Sequence, residues 1–132
     1  MPEELAAGRE FELTREVTAD VTADRFGNPG VPVFATPALV GLLEEAAIGC
    51  VAPTLDDGAG TVGTSVNVQH LAATPIGLTV TATARLVEVD GRRLVFEVEA
   101  HDDKEPIAKG MHERFLVGSM QRFVERALEK SS

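Results

Sequence analysis

The order of hydrophobic patterns in this 132-residue chain predicts an α+β protein, with a curled antiparallel sheet wrapped around one long central helix. Two observations carry the prediction. The stretch from Thr36 to Pro53 has a helical pattern that is apolar around much of its girth, so it belongs inside. One alternating strand pattern precedes it and four follow, separated by turn residues.

The first strand is "EFELTREV", Glu10 to Val17, where Phe11 and Leu13 alternate with polar residues. "RFGNPGVP", Arg25 to Pro32, is loop chemistry. The helix is expected to start at Thr36 as N-cap, with Pro37 in the first helical position, and to stop before Pro53. Leu39, Leu43, Ala46 and Cys50 form one apolar column, and Val40, Glu44, Ala47 and Val51 the next. The following strands are Thr64 to Leu71, Gly77 to Val89, Arg92 to His101 and Pro106 to Val117. Asp90-Gly91 makes a hairpin turn between two of them. Ser119 suits the cap of a C-terminal helix with Phe123, Val124, Ala127 and Leu128 on its apolar side. Together these elements describe a hot-dog fold in one domain, residues 1–132. An edge strand and part of the helix stay uncovered in such a sheet, which predicts a homodimer.

Composition narrows the function. A formal net charge of −9 argues against nucleic acid as the main partner. His70, His101 and His112 lack helical ligand spacing and no Cys pair accompanies them, so no metal site is expected. "DDGAGTVG" lacks the ending of a phosphate-binding loop. No cofactor and no membrane span are expected. The N-terminal "MPEELAAGRE" lacks signal-peptide character, and the lone Cys50 suits a reducing compartment, so the expected location is cytoplasmic.

A few residues break the pattern. Glu44 lies in an apolar helix column, either as a carboxylate that activates water or attacks a carbonyl, or as a surface Glu beside the solvated Glu45. His70 ends the Val66–Val68 face as a proton carrier or a satisfied core histidine. Thr36 is a helix cap or a nucleophile. Gly63 precedes the strand, where it permits a turn. Arg114 sits in the last strand and needs a partner, Glu113 or a ligand anion. Cys50 is expected to be buried filler, and Arg92 and Arg93 a solvated strand end.

In combination, "VFAT" with a Glu eight residues after its Thr, "GTVGTSVNVQHLAATPIGLTV" and "GMHERFLV" resemble the fluoroacetyl-CoA thioesterase family of hot-dog proteins. The resemblance covers about Val33 to Val117. It implies that Thr36, Glu44 and His70 are catalytic, that Gly63 and Arg114 contact substrate, and that the substrate is a short-chain acyl-CoA ester hydrolysed to acid and CoA. It also implies that Glu44 sits in the column because the helix forms a wall of the active site. A hot-dog enoyl-CoA hydratase or dehydratase, or a non-catalytic acyl-CoA-binding protein, is the alternative. Arg92, Arg93, Lys104, Lys109 and Arg114 are the cations available for the CoA phosphates. In the family's fluoroacetyl-CoA enzyme the segment before "VFAT" carries phenylalanines in a lid, whereas here "ADRFGNPGVP" holds only Phe26. A broad short-chain profile is therefore expected.

Overall fold

The computed structural model describes residues 3–131. Its strands are β1 (Glu10–Glu16), β2 (Gly60–His70), β3 (Thr79–Asp90), β4 (Arg93–His101) and β5 (Pro106–Val117), and its helices α1 (Thr36–Val51) and α2 (Met120–Leu128). The sheet has five strands in the order β1-β3-β4-β5-β2, antiparallel at every pairing. The chain lays β1 at one edge, crosses by α1 to the other edge for β2, returns to β3 and then meanders back. The sheet is not closed, and β2 and β1 are its edges.

The core lies where α1 crosses the inner sheet face. Leu39, Leu43, Ala46, Ala47, Cys50 and Val51 of the helix are buried, as are Val80, Ala82, Ala84 and Leu86 of β3 and Leu94, Phe96, Val98 and Ala100 of β4. The period-2 pattern of β3 and β4 thus faces the helix, as the alternation requires. The alanines of both layers keep helix and strands close, and dispersion contacts grow as the gap shrinks. By length and composition Thr36–Thr54 could cross a bilayer, contrary to the sequence expectation, but Leu39, Leu42, Leu43, Ala46, Ala47, Cys50 and Val51 pack into the core while Ile48 stays exposed.

The strands fall close to their expected bounds, with two exceptions that matter. β2 starts at Gly60, so Gly63 lies inside a strand rather than in the loop before it. The Val66–Val68–His70 face is also not fully inward: Val66 is exposed, and Val68 and His70 are half-buried. β2 is an edge strand, so tertiary cover is thinner there than the alternation implies. The helix start differs as well. Ala35 is the N-cap, its carbonyl accepting from the Leu39 N–H at 2.9 Å, and the Thr36 side chain does not cap. Ser119 does cap α2, accepting from the Arg122 N–H. The apolar side of α2 nevertheless stays exposed at Phe123, Val124 and Leu128.

Candidate active site

Two clusters flank α1. The first joins the helix start to the end of β2. With Ala35 as the cap, the Thr36 hydroxyl is released from the backbone and lies 2.8 Å from His70 Nδ1. The segment before the helix is held on both sides. Phe34 N–H donates to the Thr74 carbonyl at 2.8 Å, and Ala35 N–H donates to the Val21 carbonyl at 2.9 Å. Thr74 is itself fixed, its buried hydroxyl donating to Asp102 at 2.8 Å. The stretch just after His70 and the stretch just before Thr36 are therefore one stitched unit, which sets the distance between the two side chains.

Burial pushes the His70 pKa below the ordinary 6.5. At neutral pH the ring is uncharged, so one nitrogen donates and the other accepts. Its Nε2 is buried and has no partner among the described residues. A buried polar atom without a partner calls for an explanation. The pair opens on a cleft of about 400 Å³ lined in part by Ala23, Asn28, Val31 and Ala72. Phe26 does not line it and is exposed.

The second cluster lies further along the helix. Glu44 Oε2 accepts from Arg114 Nη1 at 3.0 Å. Arg114 is only 4% exposed, and its Nε and Nη2 donate to the Thr61 hydroxyl and carbonyl at 2.8 and 2.9 Å. His112, 1% exposed, has Nδ1 2.8 Å from the Ser65 carbonyl and Nε2 3.3 Å from Arg114 Nη1. Burial drives the His112 pKa down, with Arg114 adding to the effect. A neutral His112 donates through Nδ1 and accepts at Nε2, which orients the guanidinium towards Glu44. Gly63 pairs with Arg114 in the sheet register, and a Cβ at Gly63 would collide with the Glu44 carboxylate. A side chain here would have to displace that carboxylate from its place beside Arg114.

The anomalous carboxylate thus has a physical account. Glu44 is half-buried, its side chain 37% exposed, and it neutralises a buried arginine across the helix–sheet interface. The partner of Arg114 is Glu44 and not Glu113, which binds Arg93 instead. Glu45 is the solvated neighbour, paired with Arg15. His112 and Thr61 are the residues that sequence reasoning missed. The only local sign was the i, i+2 spacing of His112 and Arg114, which puts both on one face of a strand.

The five residues do not form one cluster. The structure joins Thr36 to His70, and Glu44 to Arg114 and Gly63. Glu44 lies eight positions after Thr36 on the helix, roughly 12 Å along the axis.

An antiparallel sheet curled around one long helix defines a hot-dog protein. Comparison with known proteins agrees. The fluoroacetyl-CoA-specific thioesterase family matches residues 17–120, and the chain belongs to that family. A fluoroacetyl-CoA thioesterase of Streptantibioticus cattleyicolor is 46% identical over 99 residues, 75% of this chain and 70% of that one. The structure of the fluoroacetyl-CoA thioesterase FlK superposes with a TM-score of 0.88 at 38% identity, covering 97% of this chain and 98% of the other. A threonine-to-serine variant of FlK in complex with acetyl-CoA superposes at 0.89 with 38% identity, covering 97% and 100%.

Proposed function

We propose that this protein hydrolyses short-chain acyl-CoA thioesters at a site completed by two copies of the chain. The observation that carries the reading is the 2.8 Å contact between the Thr36 hydroxyl and a neutral His70 whose other ring nitrogen is unpartnered. With the proton on Nε2, Nδ1 accepts from the Thr36 hydroxyl and makes it a better nucleophile. The Nε2–H then needs an acceptor, and Glu44 is a carboxylate of the right kind. A thiolate leaves readily because the free thiol has a pKa of about 8.5. The attacking oxygen is that of Thr36 or of a water it holds. In the first case a Thr36 ester forms as the C–S bond breaks, and water then cleaves it. The sheet register shifts between Gly63 and Ser65, and such a bulge turns backbone N–H groups out of the ladder to face an oxyanion.

Glu44 and His70 are too far apart on one chain to touch, and the exposed edge of β2 supplies the remedy. Antiparallel pairing of two β2 strands about a two-fold axis near Val66 and Asn67 sets Gly63 of one copy opposite His70 of the other. That brings the Glu44 cluster of one copy to the Thr36–His70 pair of the second, and it covers the open edge. Arg114 acts as an orienting residue for Glu44, since its donors are directed at protein groups. The cleft is walled by Ala23, Asn28, Val31 and Val33 of the segment before the helix, with Phe34 and Leu71 beside them. A hydrophobic pocket discriminates one added or missing methylene by only ~1–3 kcal/mol, so specificity constants for acetyl, fluoroacetyl and propionyl esters are expected within about 200-fold of one another, without a preference of several orders of magnitude for the fluorinated ester.

The test of activity is thiol release across acyl-CoA chain lengths, run beside enoyl-CoA hydration. Hydration without thiol release would move the chain to the hydratase class. The test of the shared site is complementation. Mixed Thr36→Val and Glu44→Gln chains form hybrid dimers with one intact site, which restores about a quarter of wild-type activity in an equal statistical mixture. No recovery upon proven subunit exchange would place the whole site within one chain.

A further inference from the structure

Outside both clusters, the turn between β4 and β5 holds a buried carboxylate. Asp102 is 6% exposed. Loops ordinarily keep their charges in water, because burying a charge is costly unless hydrogen bonds satisfy it. The two oxygens of Asp102 have separate partners. Oδ1 accepts from the Lys104 and Glu105 N–H groups at 2.8 and 3.0 Å. With the Asp102 N–H donating to the Glu105 carbonyl at 2.9 Å, those bonds close the turn. Oδ2 reaches out of the turn and accepts from the Thr74 hydroxyl at 2.8 Å.

Thr74 is fully buried and belongs to the stretch that follows His70. That stretch is tied at both ends. At its start His70 pairs with Ala108 of β5, and the Leu71 N–H donates to the Ile107 carbonyl at 2.7 Å. At its end the Thr74 carbonyl accepts from the Phe34 N–H at 2.8 Å, and Pro75 bridges to Val33. Phe34 stands two residues before Thr36. The path from Asp102 to the Thr36 hydroxyl therefore runs through one side-chain bond, one main-chain bond and a short piece of backbone. An isosteric Val would fill the same buried volume as Thr74, so what the hydroxyl adds is the tie to Asp102.

Placement of this kind governs rate. The Thr36 hydroxyl meets His70 through a single 2.8 Å contact, and a misplacement of about 1 Å can cost roughly 10²-fold. We propose that the Asp102–Thr74 hydrogen bond is a positioning device for the reaction: Asp102 and Thr74 are positioning residues that hold the Thr36 oxygen against His70 through the Phe34 backbone. The inference rests on the thioesterase reading for its chemistry and on the Thr36–His70 contact for its geometry.

The test is a double-mutant cycle on acetyl-CoA hydrolysis, with the folded fraction of each variant measured by circular dichroism. Thr74→Val keeps the volume and removes the donor, and Thr74→Ser keeps the donor. Thr74→Val is expected to lower kcat about 10- to 100-fold with little change in KM, and Thr74→Ser to stay within about threefold of wild type. In the Thr36→Val background, Thr74→Val should bring no further fall, because its effect passes through the Thr36 oxygen. A merely structural Thr74 would lower activity by the same factor in both backgrounds, and that result would overturn the proposal. So would a folded Thr74→Val protein with wild-type kcat, or a Thr74→Ser protein as slow as Thr74→Val. If Thr74→Val does not fold, Thr74→Ala, which leaves room for a water beside Asp102, is judged by the same outcomes. If wild type releases no thiol, the hydrolase reading fails by itself. The nitrogen-15 resonance of His70 Nδ1 then decides the positioning role. Thr74→Val should move it towards its place in Thr36→Val while Thr74→Ser leaves it, and a resonance that Thr74→Val does not move overturns the role.

Discussion

Thr36–His70 and Glu44–Arg114 both join α1 to the sheet, and they are built on different physics. The first pair is neutral, half-open and held by a single side-chain hydrogen bond, with its precision supplied by the stitched backbone around Phe34 and Thr74. The second is ionic and anchored on a buried guanidinium with further bonds to Thr61 and His112. A hydroxyl–imidazole pair costs little to desolvate and keeps its reactive proton available. A buried ion pair is costly to desolvate and persists only where hydrogen bonds satisfy it, which also makes it rigid. The contrast separates a neutral pair with a mobile proton from an ionic pair that holds a charge in place.

The largest expected effect comes from removing the fixed charge. Glu44→Gln should lower kcat by ~10²- to 10⁴-fold, the usual range for a positioned acid–base group. It should also lower stability by about 1–3 kcal/mol, because buried Arg114 keeps a hydrogen-bond acceptor and loses its counter-ion. Thiol release and urea unfolding measure the two effects, and near-normal turnover would remove Glu44 from the reaction.

Thr36→Val keeps shape and removes the hydroxyl. A fall in kcat of about 100-fold is expected if that oxygen takes part in the proton transfer. Since Thr36 does not cap the helix, the ~1 kcal/mol typical of a lost cap should be missing from the unfolding curve. A stable, fully active Thr36→Val protein would leave the neutral pair without a chemical role. Gly63→Ala attacks the contact between the regions. Its Cβ would press on the Glu44 carboxylate and sit 3.2 Å from Arg114 Nη1, so a cost of ~1–3 kcal/mol and roughly tenfold slower turnover are expected. Wild-type behaviour would mean that Glu44 relaxes freely.

The smallest effect is the pH dependence. Glu44 does not touch His70 within one chain, and burial lowers the His70 pKa, so the acid limb of kcat/KM should fall below pH 6.5. Stability follows the same sign. Both His70 and His112 have folded-state pKa values below the unfolded value of about 6.5. The unfolded chain binds more protons in that window, so their contribution is full above pH 6.5 and is lost as pH falls through the folded values. A limb above pH 6.5 in the active oligomer would show that a second copy's carboxylate dominates burial at His70.

Local periodicity made much of this protein legible. The bounds of β5, the buried faces of β3 and β4 and the Ser119 cap all follow from side-chain period and turn chemistry. Those are short-range properties, set by where adjacent side chains point. The identity of Glu44 as an odd residue was likewise visible, because a carboxylate breaks an apolar column wherever the helix packs. Its partner was not. Arg114 lies 70 residues away, and only the β2–β5 register and the rotation of α1 bring the two to 3.0 Å. The same holds for His112, which looks like any strand histidine until the sheet buries it beside Arg114, and for Thr36, whose expected cap role passed to Ala35 once the preceding backbone bonded to Val21 and Thr74. The sequence by itself determined the main helices and strands, the inward faces of β3 and β4 and the polar residues that break the pattern. Which of those residues meet, and which stay roughly 12 Å apart on one helix, was decided by tertiary packing, because contacts between distant segments depend on register and helix rotation that no local pattern encodes.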